Sequence, residues 1–111
     1  MKRSLLTLCA LLAAVAIVAA QGHDFYVSLT GNDTWSGKFS SPNTDKTDGP
    51  FRTLAGARDA LRRIKTLGLL PGRATVNVRG GTYTLEDTFV LTGEDSGTVS
   101  GPMIWRAYRE E

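Results

Sequence analysis

Acidic side chains are the residues of this 111-residue sequence that could most directly perform chemistry. Two carboxyl groups on either side of one bond can act as acid and base in glycosidic cleavage, and several carboxylate oxygens together can hold calcium. Side chains adjacent on an extended chain point apart, however, and the polar segment that holds three of these residues lacks the regular spacing of a calcium loop. We therefore favour solvated turn carboxylates, with a structural calcium ion and catalysis as alternatives, for Asp33, Asp45, Asp48, Glu86-Asp87 and Glu94-Asp95.

An aromatic residue in the same polar segment is the second candidate for function. Trp35 lies among glycine and short polar residues, and an exposed indole face can stack on a sugar ring. The interpretation that we favour is packing of the indole onto a neighbouring helix. Trp35 and Asp33 are therefore the candidates for substrate binding.

Other catalytic chemistry finds little support in the sequence. His23 is the only histidine, so a copper site built on it would lack a second imidazole, and a Ser-His-Asp centre is disfavoured. No serine lies in a Gly-x-Ser-x-Gly context. Asn32-Asp33-Thr34 matches a glycosylation acceptor, which matters only in a eukaryotic host. We assign no catalytic residue, no metal ligand and no cofactor beyond the calcium alternative.

The segment from Met1 to Ala20 predicts a secretory signal peptide. Lys2-Arg3 forms a basic start, Leu5 to Ala20 is an uncharged and mostly apolar run, and small residues precede Gln21. This run is short for a membrane span, which needs roughly 20 apolar residues. We expect cleavage between Ala20 and Gln21, which removes the only cysteine, Cys9. The remaining chain is then secreted, or periplasmic in a Gram-negative host.

Length and charge exclude several classes of protein and partner. A chain of 111 residues allows one small domain, and one cysteine excludes a disulfide scaffold. The 13 basic residues exceed the 11 acidic ones only through Lys2 and Arg3 in the leader. Because the mature chain is neutral, we expect no nucleic-acid partner and no membrane partner after cleavage.

The elements that must position these residues are short strands and one helix. Asp24 to Leu29 alternates apolar and polar residues and predicts a strand, and the turn-rich segment Thr30 to Pro50 predicts a long loop. Thr53 to Leu67 predicts an amphipathic helix with Thr53 as its N-cap, Gly68 at its end and Pro71 blocking continuation. Its apolar face is formed by Leu54, Ala57, Leu61 and Ile64.

The second half of the chain predicts further short strands separated by glycine-rich turns. Val76 and Val78 alternate with polar residues in one strand, and Gly80-Gly81 ends it. Val76, Val90 and Ile104 are evenly spaced along the chain, which suggests a sheet that winds regularly. An ordinary small sandwich remains an alternative on spacing alone. The other extended segments are Thr82–Leu85, Thr88–Leu91 and Met103–Tyr108.

The order of these segments resembles the N-terminal part of secreted right-handed parallel β-helix proteins of the pectate-lyase-like superfamily. The resemblance covers essentially all of residues 24 to 111, and it is more specific for the fold than for any activity. It is carried by Asp24-Phe25-Tyr26-Val27-Ser28, Thr30-Gly31-Asn32-Asp33, Gly49-Pro50-Phe51-Arg52-Thr53-Leu54, Ala57-Arg58-Asp59-Ala60-Leu61, Val76-Asn77-Val78-Arg79-Gly80-Gly81-Thr82-Tyr83, Glu94-Asp95-Ser96-Gly97-Thr98 and Trp105-Arg106-Ala107-Tyr108.

The resemblance implies a mainly β fold, the start of a right-handed parallel β-helix or solenoid with an N-terminal strand and one amphipathic capping α-helix. Leu54, Ala57, Leu61 and Ile64 would form the structural cap over the open end of the apolar stack. Gly80-Gly81 would turn the chain sharply between two sheets. The interior and walls of the first coil would come from Val76, Val78, Phe89, Val90, Leu91, Ile104 and Trp105.

The resemblance also implies a function. Relatives include glycoside hydrolases and polysaccharide lyases whose catalytic groups lie on middle coils, and no position of this chain matches those groups. We therefore expect residues 21 to 111 to be the cap and first coil of a truncated, carbohydrate-active and monomeric parent that binds polysaccharide through later coils. The alternatives are a non-catalytic secreted β-helix, such as an adhesin or structural protein, and a small secreted carbohydrate-binding module.

Overall fold

A computed structural model describes residues 22–70, 72–97 and 101–111 of the chain. The leader, the cleavage position at Ala20 and Gln21, and Pro71 lie outside the described residues. Within them the order of elements is β1 (His23–Val27), α1 (Leu54–Thr66), β2 (Ala74–Val78) and β3 (Met103–Ala107). Two short 3-10 turns cover Gly93–Asp95 and Tyr108–Glu110. No helix in the described ranges is long and apolar enough to cross a membrane.

The three strands form one parallel sheet in the order β1-β2-β3, without a register shift. Phe25 lies beside Val76, and Val76 lies beside Trp105 in β3. Because successive side chains of a strand point to opposite faces, the odd-numbered residues of β1 and β3 share the core face with Ala74 and Val76. Within the described residues the fold is a small domain of one parallel sheet and one α-helix.

Helix α1 confirms the helix prediction at both ends. The Thr53 hydroxyl accepts a hydrogen bond from the Gly56 N–H at 2.9 Å, as an N-cap does. At the other end Gly68 has a φ of +71°, and the Leu69 N–H bonds to the Ile64 carbonyl. This left-handed ending satisfies carbonyls that the helix itself leaves free.

The predicted apolar face of the helix packs against the sheet. Ala57 and Leu61 are buried, while Leu54 and Ile64 are half-buried against the same hydrophobic cluster. The cluster also contains Phe25, Val27, Phe51 and Val76 on or beside the sheet. The role of the four helix residues as the cap of a solenoid stays a prediction.

The free edge of β1 is covered by the long loop that precedes the helix. The Tyr26 N–H donates to the Gly37 carbonyl, and the Ser28 N–H donates to the Phe51 carbonyl, both at 2.8 Å. Phe51 is 1% exposed and stacks on Phe25 with ring centroids 6.4 Å apart. The loop therefore closes this side of the sheet both by backbone pairing and by apolar packing.

The connection between β2 and β3 departs from the predicted strands. Thr82–Leu85 and Thr88–Leu91 form no strand, so the prediction of extended strands at these two segments is wrong. Val90 and Leu91 are 50% and 46% exposed, so the described residues do not place them in the interior of a coil. The reason is that a short extended segment needs a neighbouring strand to satisfy its backbone, and the described sheet offers none on this side.

The predicted even spacing is also not the repeat of the sheet. Ala74 pairs with Met103 and Val78 pairs with Ala107, and the described residues between β2 and β3 contain no strand. Val90 lies outside the sheet, and the even spacing of Val76, Val90 and Ile104 is coincidental. At the end of β2, Gly81 has a φ of +136°, which confirms that a glycine is needed in this turn. No second sheet is present in the described residues.

Candidate functional site

Asp33 joins the long loop to the start of the helix. Its Oδ1 accepts the Arg52 and Thr53 N–H groups at 2.8 and 2.9 Å, and its Oδ2 accepts the Thr53 hydroxyl at 2.6 Å. A Cβ added at Gly56 would come within 2.2 Å of the Asp33 carboxyl carbon, so the helix backbone approaches this side chain closely. Asp33 therefore orients the N-cap residue itself. Its contact with a saccharide stays a prediction.

Trp35 packs within its own loop. The side chain is half-buried, and a Cβ added at Gly49 would lie 2.9 Å from its six-membered ring. The Trp35 N–H donates to the Asn32 carbonyl in a tight turn. These contacts hold the two ends of the loop together, and the stacking of Trp35 on a sugar ring stays a prediction.

The remaining carboxylates of the loop do not converge on Asp33. Asp48 accepts the Ser36 N–H at 2.8 Å and the Ser36 hydroxyl at 3.1 Å, and the backbone bond is the main reason that its pKa is lowered. Asp45 is exposed. No group of three or more histidine, cysteine or acidic side chains in the described ranges could hold a metal ion. The calcium alternative therefore has no assembled site there.

A buried ion pair fixes the connection between β2 and β3 onto the helix. Arg62 donates to both carboxylate oxygens of Asp95, at 2.7 and 2.6 Å, and the Asp95 side chain is only 4% exposed. Asp95 also accepts the Thr92 N–H at 2.8 Å. The Arg62 guanidinium is the main cause that lowers the pKa of Asp95 from 3.8 to about 2. The pair of Glu94 and Asp95 therefore serves structure, since Asp95 is committed to Arg62.

An apolar groove opens beside the free edge of β3. Its volume is about 450 Å³, and its walls include Leu54, Val78, Phe89, Leu91 and Trp105. The Phe89 and Trp105 rings meet edge to face at 5.5 Å. The indole nitrogen of Trp105 is buried without a hydrogen-bond partner in the described part of the chain. A buried donor without a partner is costly to the folded chain.

The opposite face of the sheet carries a polar cluster that the sequence did not single out. We call it the polar face; along the strands it presents Asp24 and Tyr26, then Thr75 and Asn77, then Ile104 and Arg106. Arg106 Nε donates to Asn77 Oδ1 at 2.9 Å, and Asn77 Nδ2 donates to the Phe25 carbonyl at 3.1 Å. A hydrogen-bonded row therefore crosses all three strands.

Tyr108 extends the polar face past the end of β3. Its ring meets the Tyr26 ring edge to face at 5.6 Å, and the guanidinium groups of Arg79 and Arg109 lie 5.3 and 5.1 Å from its centre. Burial is the main reason that the pKa of Tyr26 is raised. The signal in the sequence was the period-2 alternation of polar residues in β1, β2 and β3, but only the register places them in adjacent rows.

The comparisons with known proteins found one structural similarity, to a carbohydrate-active enzyme. No protein-family model matches the chain, and no curated protein is significantly similar to it. One solved structure, a glycoside hydrolase, is similar over 81% of this chain with 27% sequence identity and a TM-score of 0.66. The chain spans only 14% of the length of that enzyme. Its described fold is thus similar to one segment of a glycoside hydrolase.

Proposed function

We propose that residues 21–111 are the N-terminal cap and first coil of a secreted, carbohydrate-active right-handed β-helix protein. In this proposal the parent hydrolyses or eliminates glycosidic bonds in a polysaccharide, and its catalytic groups lie on coils that are absent from this sequence. The residues of the present chain would end the solenoid and position its first strands. The proposal is for the architecture and the class of reaction, and it assigns no catalytic residue to this chain.

The observation that carries the proposal is the difference between the two edges of the sheet. On the β1 edge the loop pairs with Tyr26 and Ser28 and buries Phe51, so the edge is blocked. At the other edge β3 has no further strand in the described residues, and the apolar groove lies open beside it. A parallel sheet that is closed on one side and open on the other is suited to extension by stacked strands.

The register supports stacking more than it supports an ordinary open α/β sheet. The strands align without offset from His23 to Val27, with Ala74 to Val78 and Met103 to Ala107 beside them. The second connection contains no helix longer than a 3-10 turn in its described part, whereas doubly wound sheets use helices for such crossovers. The similarity to a segment of a glycoside hydrolase over 81% of the chain supports the carbohydrate-active part of the proposal.

The cellular setting belongs to the same proposal. We propose that the leader is removed between Ala20 and Gln21, that the parent is a secreted monomer, and that its partner is a polysaccharide rather than a nucleic acid or a membrane. Mass spectrometry of the exported protein tests the first point, because cleavage there makes Gln21 the first residue. A retained leader, or an export defect that leaves the chain in the cytoplasm, would contradict it.

The architecture and the reaction are tested on the complete reading frame. The transcript is sequenced past the codon for Glu111, the encoded protein is expressed whole, and its structure and its release of reducing sugars from a polysaccharide panel are measured. We expect strands that continue parallel to β3 with matching register, and cleavage of at least one polysaccharide that is lost when outward carboxylates of later coils are replaced by amides.

Three results would overturn the proposal in different ways. A structure in which β3 borders no further parallel strand removes the β-helix. A continued solenoid without cleavage of any polysaccharide, and without outward pairs of carboxylates, instead leaves a non-catalytic secreted β-helix, such as an adhesin. A verified stop codon directly after Glu111 in an expressed message removes the enzyme and leaves a small secreted binding module.

A further inference from the structure

We infer that Arg106 and Arg109 form a binding site for one anionic group of an acidic saccharide, a carboxylate or a sulfate. The saccharide part of this inference rests on the proposed function, whereas the anion part rests on the polar face itself. Arg106 follows Trp105 in β3, so its side chain lies on the face opposite the Trp105 ring, and Arg106 also lines the apolar groove.

Arg106 and Arg109 are the two cations beside Tyr108 that lack an acidic partner among the described residues. Both line one open pocket of about 340 Å³ beside Tyr108. Arg79, their neighbour, is paired with Glu111 at 2.9 Å. Neither Arg106 nor Arg109 has a carboxylate within ion-pair distance among the residues that the structure describes. Two unpaired guanidinium groups on one pocket attract a planar anion strongly, because each can donate two parallel hydrogen bonds.

Arg106 is held in place before any ligand arrives. Its Nε donates to Asn77 Oδ1 at 2.9 Å, and Asn77 is 2% exposed. The Asn77 amide is fixed in turn by the Phe25 carbonyl. The terminal nitrogens of Arg106 have no hydrogen-bond partner in the described ranges, so they remain available to a ligand. A preorganised donor loses less side-chain entropy on binding than a mobile surface arginine does.

Aromatic rings beside the arginines favour a sugar over a bare inorganic anion. Arg109 packs on the Tyr108 ring at 5.1 Å, and Tyr26 meets the same ring at 5.6 Å. The hydroxyl groups of Tyr26 and Tyr108 have no partner within the described part of the chain. They can therefore exchange hydrogen bonds with sugar hydroxyls, and the ring edges offer apolar contact to sugar C–H groups.

The balance of charge on the polar face predicts the number of anionic groups bound. The described charged side chains there are Arg73, Arg79, Arg106, Arg109, Asp24 and Glu111. Glu111 neutralises Arg79, and Asp24 shares a pocket with Arg73 at the other end of the strands. The charges of Arg106 and Arg109 remain. Because both arginines line a single pocket, we expect one carboxylate or sulfate group per site rather than a run of them.

The test measures binding of defined saccharides to the full chain by titration calorimetry at low salt. The probes are an oligogalacturonate, a sulfated galactan oligosaccharide, neutral maltotriose and inorganic sulfate. The variants are Arg106→Gln and Arg109→Asn, the latter chosen because asparagine tolerates the φ of +48° at this position. Arg63→Gln is the matched control, since Arg63 is exposed on the helix and loses the same charge elsewhere.

We expect an acidic saccharide to bind, neutral maltotriose to bind far more weakly, and each site variant to weaken binding of the acidic saccharide about tenfold. The control variant should leave the affinity unchanged, and added salt should weaken binding. Comparison of the carboxylated and sulfated probes identifies which anionic group the site prefers. Circular dichroism of each variant establishes that it is folded.

Four results would overturn the inference. Binding of an acidic saccharide that neither site variant weakens would place the ligand elsewhere and leave the proposed function standing. Inorganic sulfate binding as tightly as the saccharides would remove the sugar part. Tighter binding of a DNA oligonucleotide than of the acidic saccharides would identify a different ligand. Absence of binding by every anionic probe to a folded chain would remove the site, whatever the activity of the complete reading frame.

Discussion

Two carboxylates each join a loop to the helix by hydrogen bonds. Asp33 connects the long loop with the first turn of α1, and Asp95 connects the later crossover with Arg62 on the same helix. Both also accept hydrogen bonds from backbone N–H groups, Asp33 from Arg52 and Thr53 and Asp95 from Thr92. A chain with few buried apolar side chains depends strongly on such bonds, because small domains have little stability in reserve.

Replacing Asp33 by alanine should lower the free energy of unfolding by roughly 1–3 kcal/mol, because two backbone N–H groups and the Thr53 hydroxyl lose their acceptor. Asp33→Asn should cost less, since its amide oxygen can still accept at one position. Urea unfolding followed by circular dichroism measures both. Asp45→Ala is the control, since Asp45 is exposed in the same loop. Equal midpoints for the Asp33 and Asp45 variants would contradict the role assigned to Asp33.

Asp95 predicts the behaviour of the fold in acid. Its pKa is lowered from 3.8 to about 2 in the folded chain, so folding favours the ionised carboxylate. The resulting stability is fully present above pH of about 4 and is lost as the pH falls towards about 2. Asp95→Asn should remove this part of the acid dependence and destabilise the chain at neutral pH.

A substitution at the neighbouring residue, Glu94, isolates the contribution of Asp95 to stability in acid. Glu94→Gln removes the same charge one position earlier, from a side chain that is 61% exposed. Unfolding midpoints are measured at several pH values between 2 and 7. The Glu94 variant should depend on pH almost as the unsubstituted chain does, whereas the midpoint of the Asp95 variant should change less with pH. A parent-like pH profile in the Asp95 variant would show that the ion pair with Arg62 does not carry the effect.

At the scale of elements, the end of the helix depends on backbone conformation rather than on packing. Gly68 has a φ of +71° and has open space around it, so a substitution there meets no neighbouring atom. Gly68→Ala should still cost about 1 kcal/mol, because an L side chain is disfavoured in the left-handed region. Gly93→Ala is the matched control, since Gly93 also has open space but no positive φ. Thermal or urea unfolding should separate the two variants; identical stabilities would contradict the argument.

At the scale of the whole molecule, the two edges of the sheet differ in what covers them. The β1 edge is closed by the loop, whereas the β3 edge and the apolar groove are open in the described residues. An exposed apolar groove next to a free strand edge binds other apolar groups and promotes association. The polar face on the opposite side carries the unpaired arginines.

The groove predicts binding of an apolar fluorescent dye by the 111-residue chain. Leu91→Gln should reduce the fluorescence gain of anilinonaphthalene sulfonate, because Leu91 lines the groove and is 46% exposed. Leu85→Gln is the control, since Leu85 has similar exposure, 52%, but lies outside the groove wall. Under the proposed function a further coil covers the groove, so the complete protein should bind little dye. Equal fluorescence for both variants would place the apolar surface elsewhere.

The helix and the strands were predictable where the pattern of neighbouring residues defines them. The helix, its Thr53 cap, and the strands at β1, β2 and β3 follow from alternation, spacing and capping chemistry that neighbouring residues define together. The segment Thr88–Leu91 has the same composition as a strand but forms none. Strand formation requires a partner, and a pattern along the chain does not state whether a partner is present.

The candidate site was predictable only in part for a related reason. Asp33 and Trp35 drew attention because their types suit saccharides, and the structure gives both of them contacts that stabilise the loop. Arg106 and Arg109 looked like ordinary surface residues. Their neighbours Asn77 and Tyr26 come from strands that are distant along the chain, and only the register of the sheet assembles them.

The sequence by itself therefore determined the helix with its two ends, the three core strands and the absence of a dominant charge, because these depend on neighbouring residues or on composition. Only the tertiary structure decided that one edge of the sheet is blocked and the other open, that Asp95 is buried against Arg62, and that two arginines face one pocket. These features depend on which distant segments meet. That choice is made by the packing of the whole sheet and helix.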